Sequence, residues 1–399
     1  MRFLISIQRG IKMYISRLIL KNWKNFQSVD IDFQQRVFLV GPNASGKSNL
    51  LDAIRFLRDL AKIGGGLQQA VEQRGGVSKI RCLSARTHSD IELQVDISDD
   101  ISKEKIWSYK LAFNQFGGGI QRLKAKLKYE YIKNFKTNWF RERPSDKDNK
   151  DTHLLEYTHL EQPTQNSEFR DISDFFSGIQ YLHIIPHLVR SSKKILLSDD
   201  QEDFFGRDFI ERLNKYPKKT RSSFLKKIEK ALKIAVPKFH DLEIVPDKMG
   251  VPHLQAIYHH WRAQGAKQWE DQFSDGTLRL IGLLWALQDG FRPVLLEEPE
   301  LSLHNAIVSR LPEIITLLQK RKSGIRQVFL SSHSYELLSN KGINGEETIL
   351  LEPTDEGTIV KTASSDEEIK ILLDTGMTIA DSVIPATSPE YIDQLTLGL

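Results

Sequence analysis

Residues 41–48 read Gly-Pro-Asn-Ala-Ser-Gly-Lys-Ser, and they lie between the apolar run 37–40 and a stretch, 48–60, with helical apolar spacing. Glycine lets backbone N–H groups approach phosphate oxygens, and a helix start adds the positive end of its dipole. The pattern predicts a P-loop, in which Lys47 reaches the β- and γ-phosphates of a nucleotide and the Ser48 hydroxyl ligates Mg²⁺. The residues expected to contact the nucleotide are Asn43, Ala44, Ser45, Gly46, Lys47, Ser48 and Asn49.

A pair of acids, Glu297 and Glu298, comes directly after the apolar residues 294–296. A short buried strand that ends in two acids matches a Walker B site. There Glu297 would hold the Mg²⁺ ion through water, and Glu298 would orient and deprotonate the attacking water. The alternative is an exposed acidic loop after a buried strand. The P-loop earlier in the chain favours the Walker B interpretation.

Two weaker signals lie on either side of these acids. Ser274 and Gly276 stand at the start of an apolar helix, which offers hydroxyl and N–H groups to an anion. Taken alone, the pattern favours a plain N-cap formed by Ser274 or Asp275. His333 follows the buried strand 327–330 and is placed to hydrogen-bond a γ-phosphate and sense its loss. Taken alone, a histidine at a strand end is more often structural.

The order of these four signals along the chain makes them specific together. The chain resembles an ABC-type ATPase of the RecF/SMC/OLD branch. The resemblance implies a head-to-tail homodimer with two ATP molecules between the protomers, where Ser274 and Gly276 of one protomer contact the nucleotide of the other. It further implies that residues 300–302 form the D-loop at that seam and that His333 is the switch histidine.

A narrower resemblance covers nearly the whole chain, through the blocks 179–183, 272–277 and 297–304. These are similar to blocks in stand-alone bacterial ATPases related to OLD proteins and to the ATPase half of phage-defence ATPase–TOPRIM pairs. The resemblance implies a TOPRIM-type nuclease partner and a role in defence or DNA surveillance. One departure concerns the Q-loop glutamine of ABC ATPases, because residues 184–187 offer His187 instead. The resemblance also places the adenine base near residues 24–26.

Composition sets few further limits. The chain has 399 residues, a net charge of +4 and one cysteine, Cys82, so it can form neither an internal disulfide framework nor a cysteine metal site. The longest apolar run near the motifs is far too short to span a bilayer. We therefore expect a cytoplasmic protein without a membrane partner. Met13 opens a segment that is typical of a protein start, so residues 1–12 are expected to be an extension.

Periodicity predicts the elements that position these residues. We expect a mixed α/β fold, a P-loop NTPase of the ABC-ATPase head type, split by a mixed α+β inserted lobe. The core comprises 13–85 and 266–385, and the lobe comprises 86–265. The expected strands are 14–20, a second within 29–40, a β-meander over 90–133, a hairpin over 241–261, and the short strands 294–296 and 327–330. The expected helices are 48–60, 202–235 divided at Pro217, 278–287 and 305–320, and 141–151 is expected to be a polar loop.

A basic segment, residues 215–238, carries nine Lys or Arg and one Glu. Two interpretations stay open, a footprint for DNA phosphates and the solvated face of an amphipathic helix. Lys124, Lys126 and Lys128 alternate along one strand and would extend the DNA footprint. The pairs His183/His187 and His259/His260 are expected to be structural, and residues 146–151 do not fit a calcium loop.

Two functions remain in view. The first is an ATP-driven dimeric switch that acts on DNA or controls a nuclease partner. The second is an assembly scaffold that binds ATP with negligible turnover. A transporter ATPase is disfavoured by the long insertion, and an AAA+ motor is disfavoured by the element at Ser274 and Gly276. No TOPRIM pattern follows His333, so the chain alone is not expected to be a nuclease.

Overall fold

The computed structural model describes residues 13–84, 89–99, 102–117, 124–164, 166–190, 206, 209–259, 265–321 and 324–387. The expected extension 1–12, residues 202–205 of the expected helices and His260 lie outside this part of the chain. None of the helices in these ranges combines the length and the apolar character that a membrane span requires.

The strands begin and end as follows: β1 Met13–Trp23, β2 Phe26–Asp32, β3 Arg36–Val40, β4 Ile91–Asp99, β5 Lys105–Phe116, β6 Lys124–Asn134, β7 Trp139–Arg143, β8 Gln180–Leu182, β9 Phe239–Pro246, β10 Pro252–Tyr258, β11 Ala266–Trp269, β12 Val294–Glu297, β13 Lys320–Arg321, β14 Gly324–Ile325, β15 Val328–Ser332, β16 Thr348–Thr354 and β17 Gly357–Thr362. The helices are α1 Lys47–Ala61, α2 Leu67–Glu72, α3 Val77–Ile80, α4 Asp146–Lys150, α5 Arg170–Ser177, α6 Pro186–Arg190, α7 Phe209–Lys215, α8 Lys218–Ala235, α9 Asp275–Gln288, α10 Asn305–Val308, α11 Leu311–Gln319, α12 Tyr335–Leu338, α13 Glu367–Asp374 and α14 Ile379–Thr387.

A central six-stranded sheet has the order β17-β16-β3-β15-β12-β8, and all its strands are parallel except the edge strand β17. Its inner strands are short apolar runs, as expected for strands that are covered on both faces. Because β3, β12 and β15 are parallel, their carboxyl ends meet at one edge of the sheet. The P-loop follows β3, Glu297 ends β12 and Glu298 follows it, and His333 follows β15, so the topology collects them there.

The two faces of the central sheet belong to two apolar cores. Val37 and Leu39 of β3 join the core that contains α1, and Phe38 and Val40 join the core that contains α9. This alternation is the period-two pattern of a strand. The first core is closed on its far side by an antiparallel sheet of order β2-β1-β4-β5-β6-β7. Helix α1, which starts at the P-loop, therefore lies between two sheets.

The expected meander lies within this antiparallel sheet, where β4 pairs with β1. Strand β8, which also falls in the expected inserted lobe, pairs with β12 in the central sheet. Strand pairing thus crosses the expected limits at 86 and 265, and those limits remain a prediction.

Three local predictions were wrong. The second strand within 29–40 is two strands, β2 and β3, which belong to different sheets. The expected polar loop 141–151 contains β7 and α4, because Arg143 and Asp148 form a buried ion pair that orders it. The expected helix 305–320 is broken into α10 and α11, and Pro312 lies in the first turn of α11, where its missing N–H costs nothing.

Residues after β8 contribute to the core that contains α9. Pro217 is the N-cap of α8 and separates it from α7, as the sequence predicts. The hairpin of β9 and β10 is confirmed, and β11 completes a three-stranded sheet. Helix α8 buries Leu225, Ile228 and Leu232 and packs against β9 and α9. The basic helix is thus in direct contact with the helix that begins at Ser274.

Candidate nucleotide-binding site

At two glycines of the P-loop, neighbouring atoms lie so close that a side chain would clash with them. Gly46 has a φ of 100°, and a Cβ there would lie 2.3 Å from the side-chain nitrogen of Asn25. That nitrogen donates hydrogen bonds to the Ser45 carbonyl (3.0 Å) and to Thr358 Oγ1 (2.7 Å). A Cβ on Gly41 would lie 2.5 Å from the Leu351 carbonyl oxygen. Asn25 and Leu351 therefore support the loop on its inner side, whereas Asn43 and Ala44 are exposed on its outer side.

The polar groups of the loop fit a phosphate. Lys47 is buried, and its ammonium donates to the carbonyl oxygens of Gly41 (2.8 Å) and Pro42 (2.9 Å). Burial lowers the pKa of Lys47, and the nearby carboxylates of Glu298 and Glu297 oppose that shift. The buried Ser45 hydroxyl has no hydrogen-bond partner within the described residues. An ammonium group held only by loop carbonyls and an unused hydroxyl make a suitable cradle for an anion.

Glu297 joins the P-loop to β8. One of its carboxylate oxygens accepts a hydrogen bond from the Ser48 hydroxyl, and the other accepts one from the Tyr181 hydroxyl. Burial and the Glu297 charge raise the pKa of Tyr181. His183 Nδ1 lies 3.2 Å from the Glu297 carbonyl oxygen. A hydroxyl beside a carboxylate supplies the oxygen ligands that Mg²⁺ prefers, so Ser48 and Glu297 fit the metal site that the sequence predicts.

Glu298, the second acid of the pair, contacts His333. Glu298 has a φ of 42°, a strained value for a residue with a side chain, and its N–H donates to the Ser331 carbonyl oxygen at 3.2 Å. His333 Nδ1 lies 3.2 Å from Glu298 Oε1, and their side chains are 47% and 26% exposed. The carboxylate is therefore held beside the P-loop edge while solvent water can reach it, as a general base requires.

Ser274 serves as the helix cap and remains accessible. Its hydroxyl accepts a hydrogen bond from the Thr277 N–H at 3.2 Å, which is the N-cap interpretation left open by the sequence. Ser274 and Asp275 are also exposed, so a second copy of the chain can reach them. A Cβ on Gly276 would lie 2.6 Å from the Ser302 carbonyl oxygen, and Ser302 itself has a φ of 62°. The candidate D-loop therefore packs on the start of α9 within one chain.

Arg190, at the end of α6, also holds this turn. Its guanidinium donates to the Phe273 carbonyl oxygen at 2.6 Å and forms an ion pair with Asp275 at 2.6 Å. Upstream, the Ile184 side chain occupies the space beside Gly282 of α9, where a Cβ would lie 2.1 Å from Ile184 Cδ1. The segment that follows β8 thus connects the Glu297 contacts to the start of α9.

Sequence reasoning assigned no individual role to Asn25, Tyr181 or Arg190, although it named the ranges 24–26 and 179–183 that contain the first two. Each acts on a residue that is 20 or more positions away in the chain, and no local pattern reveals that contact. Asn49, expected at the nucleotide, donates to Asn25 Oδ1 at 2.8 Å and so helps to hold the loop.

Two further residues expected near the nucleotide, Phe26 and His187, differ in their exposure. Phe26 is fully buried in the first core and is not accessible to an adenine base, and the position of the base near residues 24–26 remains a prediction. His187 lies exposed on α6, and its role as the Q-loop residue remains a prediction. The histidine that contacts Glu297 is His183, which directly follows β8.

The remaining constellations fall outside this site. The lysines of α8 are exposed, and Lys233 pairs with Glu229 at 2.8 Å. Lys124 pairs with Glu156 at 2.6 Å. Asp148 of the rejected calcium loop is bound to Arg143. Across the described ranges, no group of three or more His, Cys, Asp or Glu is arranged to hold a metal ion.

Comparison with known proteins agrees with this geometry. The family model described as "AAA domain, putative AbiEii toxin, Type IV TA system" matches residues 36–339. The "DNA replication and repair protein RecF" of Synechocystis sp. is 34% identical over 87 residues, which cover 21% of this chain and 23% of that protein. The RecF protein of Lactobacillus gasseri is 29% identical over 117 residues, which cover 29% of this chain and 31% of that protein. The chain thus matches less than a third of the length of these curated relatives.

Among solved structures, one similar chain is an SMC head, described as "SmcHead bound to the C-winged helix domain of ScpA". It has a TM-score of 0.52 and 15% identity, and the match covers 88% of this chain and 97% of the other. At this identity the likeness concerns the fold alone. The family match covers most of the chain, and it includes the P-loop, both acids and His333. The chain therefore belongs to the family described as "AAA domain, putative AbiEii toxin, Type IV TA system", and its fold is similar to that of an SMC head.

Proposed function

We propose that this chain binds and hydrolyses ATP as a dimeric switch that acts on DNA or controls a nuclease partner. The observation that carries the proposal is the meeting of three chain-distant groups at one sheet edge. Ser48 of the P-loop contacts Glu297, and Glu298 beside it contacts His333. A phosphate cradle, a metal-ligand pair and a carboxylate with a histidine partner are the parts that phosphoryl transfer to water needs.

In the proposed reaction the loop N–H groups of residues 43–48 and the Lys47 ammonium hold the β- and γ-phosphates of ATP. Ser48 and Glu297 would hold Mg²⁺, which when bound neutralises charge on the phosphate oxygens. Glu298 accepts a proton from the attacking water as the oxygen–phosphorus bond forms and the bond from the γ-phosphorus to ADP breaks. His333 keeps the Glu298 carboxylate aimed at the γ-phosphate position, and we assign it the switch role.

The second half of the proposed site comes from a partner copy. Ser274 and Gly276 present a hydroxyl and helix N–H groups at an exposed turn, which suits an anion approaching from outside the chain. A two-fold dimer would place each turn on the ATP of the other protomer. ATP then closes the dimer, and hydrolysis releases it.

Two observations support DNA as the target of the proposed switch. The relatives in the comparison are named for DNA replication and repair, and α8 exposes a row of lysines on a helix that packs against α9. The narrower resemblance adds a role in phage defence or DNA surveillance, a TOPRIM-type nuclease partner and a cytoplasmic location. His187 is retained in this proposal as the residue in the Q-loop position.

The ATPase rate of Glu298→Gln tests the reaction. General-base catalysis contributes about 100- to 10,000-fold, so the variant is expected to lose that much turnover while it binds ATP as well as the wild type. Glu346→Gln, an exposed acid away from the site, is the matched control. A wild type that turns over as slowly as Glu298→Gln would instead support the alternative function, an ATP-dependent assembly scaffold.

A further inference from the structure

One face of the antiparallel sheet points away from α1. On its β5–β7 part, lysine and aromatic side chains lie beside one another. Cross-strand pairs place Lys133 beside Phe140 and Lys110 beside Tyr131, and alternation puts these side chains on the side away from α1. We define the β5–β7 face by six outward side chains: Lys110, Phe116, Lys126, Tyr131, Lys133 and Phe140.

Aromatic rings on this face are exposed and already stacked with one another or with lysines. Phe116 is 54% exposed and Phe140 is 56% exposed. The rings of Tyr131 and Phe140 lie 6.1 Å apart, nearly parallel at 30°. Lys126 Nζ lies 4.5 Å from the Phe116 ring centre. Large exposed rings cost free energy in water, so a face that keeps two of them beside the half-buried Tyr131 suits a ligand with flat apolar surfaces.

The charge on the β5–β7 face is unbalanced. Within the described residues, no carboxylate lies at ion-pair distance from Lys110, Lys126 or Lys133. Glu142 stands opposite Tyr131 on this face, and Glu92 of the neighbouring strand β4 accepts a hydrogen bond from Tyr129 at 3.1 Å and pairs with Lys21 at 3.0 Å. The neighbouring acid Asp96 is already bound to Lys105 at 2.6 Å. The face therefore attracts anions while it offers rings for stacking.

We propose that the β5–β7 face binds single-stranded nucleic acid, with bases stacked on Phe140 and Phe116 and with phosphates near the three unpaired lysines. Flat rings interleaved with cations are the features that hold a single strand, whereas a duplex hides the faces of its bases. The inference deepens the proposed action on DNA by naming the strand and its surface. It is distinct from α8, whose exposed residues are mainly lysines.

The test measures fluorescence anisotropy of a labelled oligothymidylate of about 20 nucleotides, long enough for several stacked bases, without any nucleotide present. Phe140→Ala is expected to weaken binding by roughly tenfold, because it removes one stacking ring, and to leave the salt dependence unchanged, because it removes no charge. Lys133→Ala is expected to lower the slope of log affinity against log salt by about 0.7, the value for one phosphate contact of a single strand.

Controls separate this surface from the others. Phe291→Ala removes another exposed ring, and Lys341→Ala removes another exposed lysine; both are expected to bind as the wild type does. The proposal is overturned if the strand does not bind at low salt, if Phe140→Ala binds normally, or if only the triple alanine variant of Lys226, Lys227 and Lys230 on α8 loses binding. Because the assay uses no ATP, its outcome does not depend on the proposed hydrolysis, and Phe140→Ala is expected to retain the wild-type ATPase rate.

Discussion

The proposed ATP site has two sides: the P-loop side, and the side formed by the turn at Ser274 and Gly276, which we call the signature side. They differ in how completely one chain builds them. On the P-loop side, Ser48, Glu297 and Tyr181 already form a connected set of hydrogen bonds, and Glu298 meets His333. On the signature side, Arg190 and Ser302 contact the turn that contains Ser274 and Gly276, but Ser274 faces solvent. One side is assembled within the chain, and the other is presented outward.

In the proposed dimer this difference would separate ATP binding from ATP hydrolysis. The side assembled in advance would bind nucleotide in a single chain, and the site would hydrolyse ATP only after a second copy completes it. Substitutions on the two sides should therefore fail in different ways. Those on the P-loop side should change metal or nucleotide binding, and those on the signature side should change dimer formation.

Among the substitutions that compare the two sides, Ser274→Arg is expected to have the largest effect. A long cation at this exposed turn would occupy the space for the partner's triphosphate and remove the hydroxyl donor. Loss of one preorganised donor costs about 100- to 1,000-fold in turnover, and we expect at least that loss with unchanged ATP affinity of the single chain. The measurement is steady-state ATPase together with equilibrium ATP binding.

Ser145→Arg is the matched control for this substitution, because Ser145 is the N-cap of α4 in the antiparallel sheet region and lies outside the site. If Ser274→Arg hydrolyses ATP at the wild-type rate, the signature side does not act on the nucleotide.

Arg190→Ala is expected to lower turnover by about 10- to 100-fold, because charge-assisted hydrogen bonds to the Phe273 carbonyl and Asp275 are lost and the turn loses its orientation. Arg190→Lys should recover part of the rate, since lysine keeps the charge but not the two-pronged contact. ATP affinity should not change.

Arg212→Ala removes a comparable arginine–aspartate pair, the one with Asp289, and is expected to retain the wild-type rate. Equal losses in Arg190→Ala and Arg212→Ala would mean that both pairs stabilise the fold and that neither positions the signature turn.

The smallest effect is expected from Tyr181→Phe, on the P-loop side. Without the hydroxyl, one Glu297 oxygen loses its partner and the carboxylate is less well oriented. Groups that orient a metal ligand change metal affinity by about 10- to 100-fold, and because Ser48 still contacts Glu297 we expect the lower end of that range. The measurement is the Mg²⁺ concentration that gives half-maximal ATPase activity.

Tyr216→Phe is the control, because the Tyr216 hydroxyl also donates to a carboxylate, that of Asp289, away from the site. A Tyr181→Phe variant whose Mg²⁺ requirement equals that of Tyr216→Phe would contradict the positioning role.

The residues of the P-loop side can be proposed from the sequence because their signals are local. A glycine loop between a strand and a helix, and two acids after an apolar run, each fit within about a dozen residues. Sheet membership is not local. Alternation in the meander predicts strands, but it does not reveal that β4 pairs with β1 or that three-residue β8 lies beside β12. For the same reason the contact between Tyr181 and Glu297, which depends on that pairing, cannot be predicted from the sequence, although the block 179–183 carries part of the resemblance.

The oligomeric state of Glu298→Gln tests the central claim most directly. With hydrolysis blocked, ATP and Mg²⁺ should shift this variant from monomer to dimer in native mass spectrometry, and omission of either should leave it monomeric. Adding Ser274→Arg to the same chain should abolish the dimer, whereas adding Ser145→Arg should not. A Glu298→Gln chain that stays monomeric with ATP and Mg²⁺, or a dimer that Ser274→Arg does not disturb, would contradict the account.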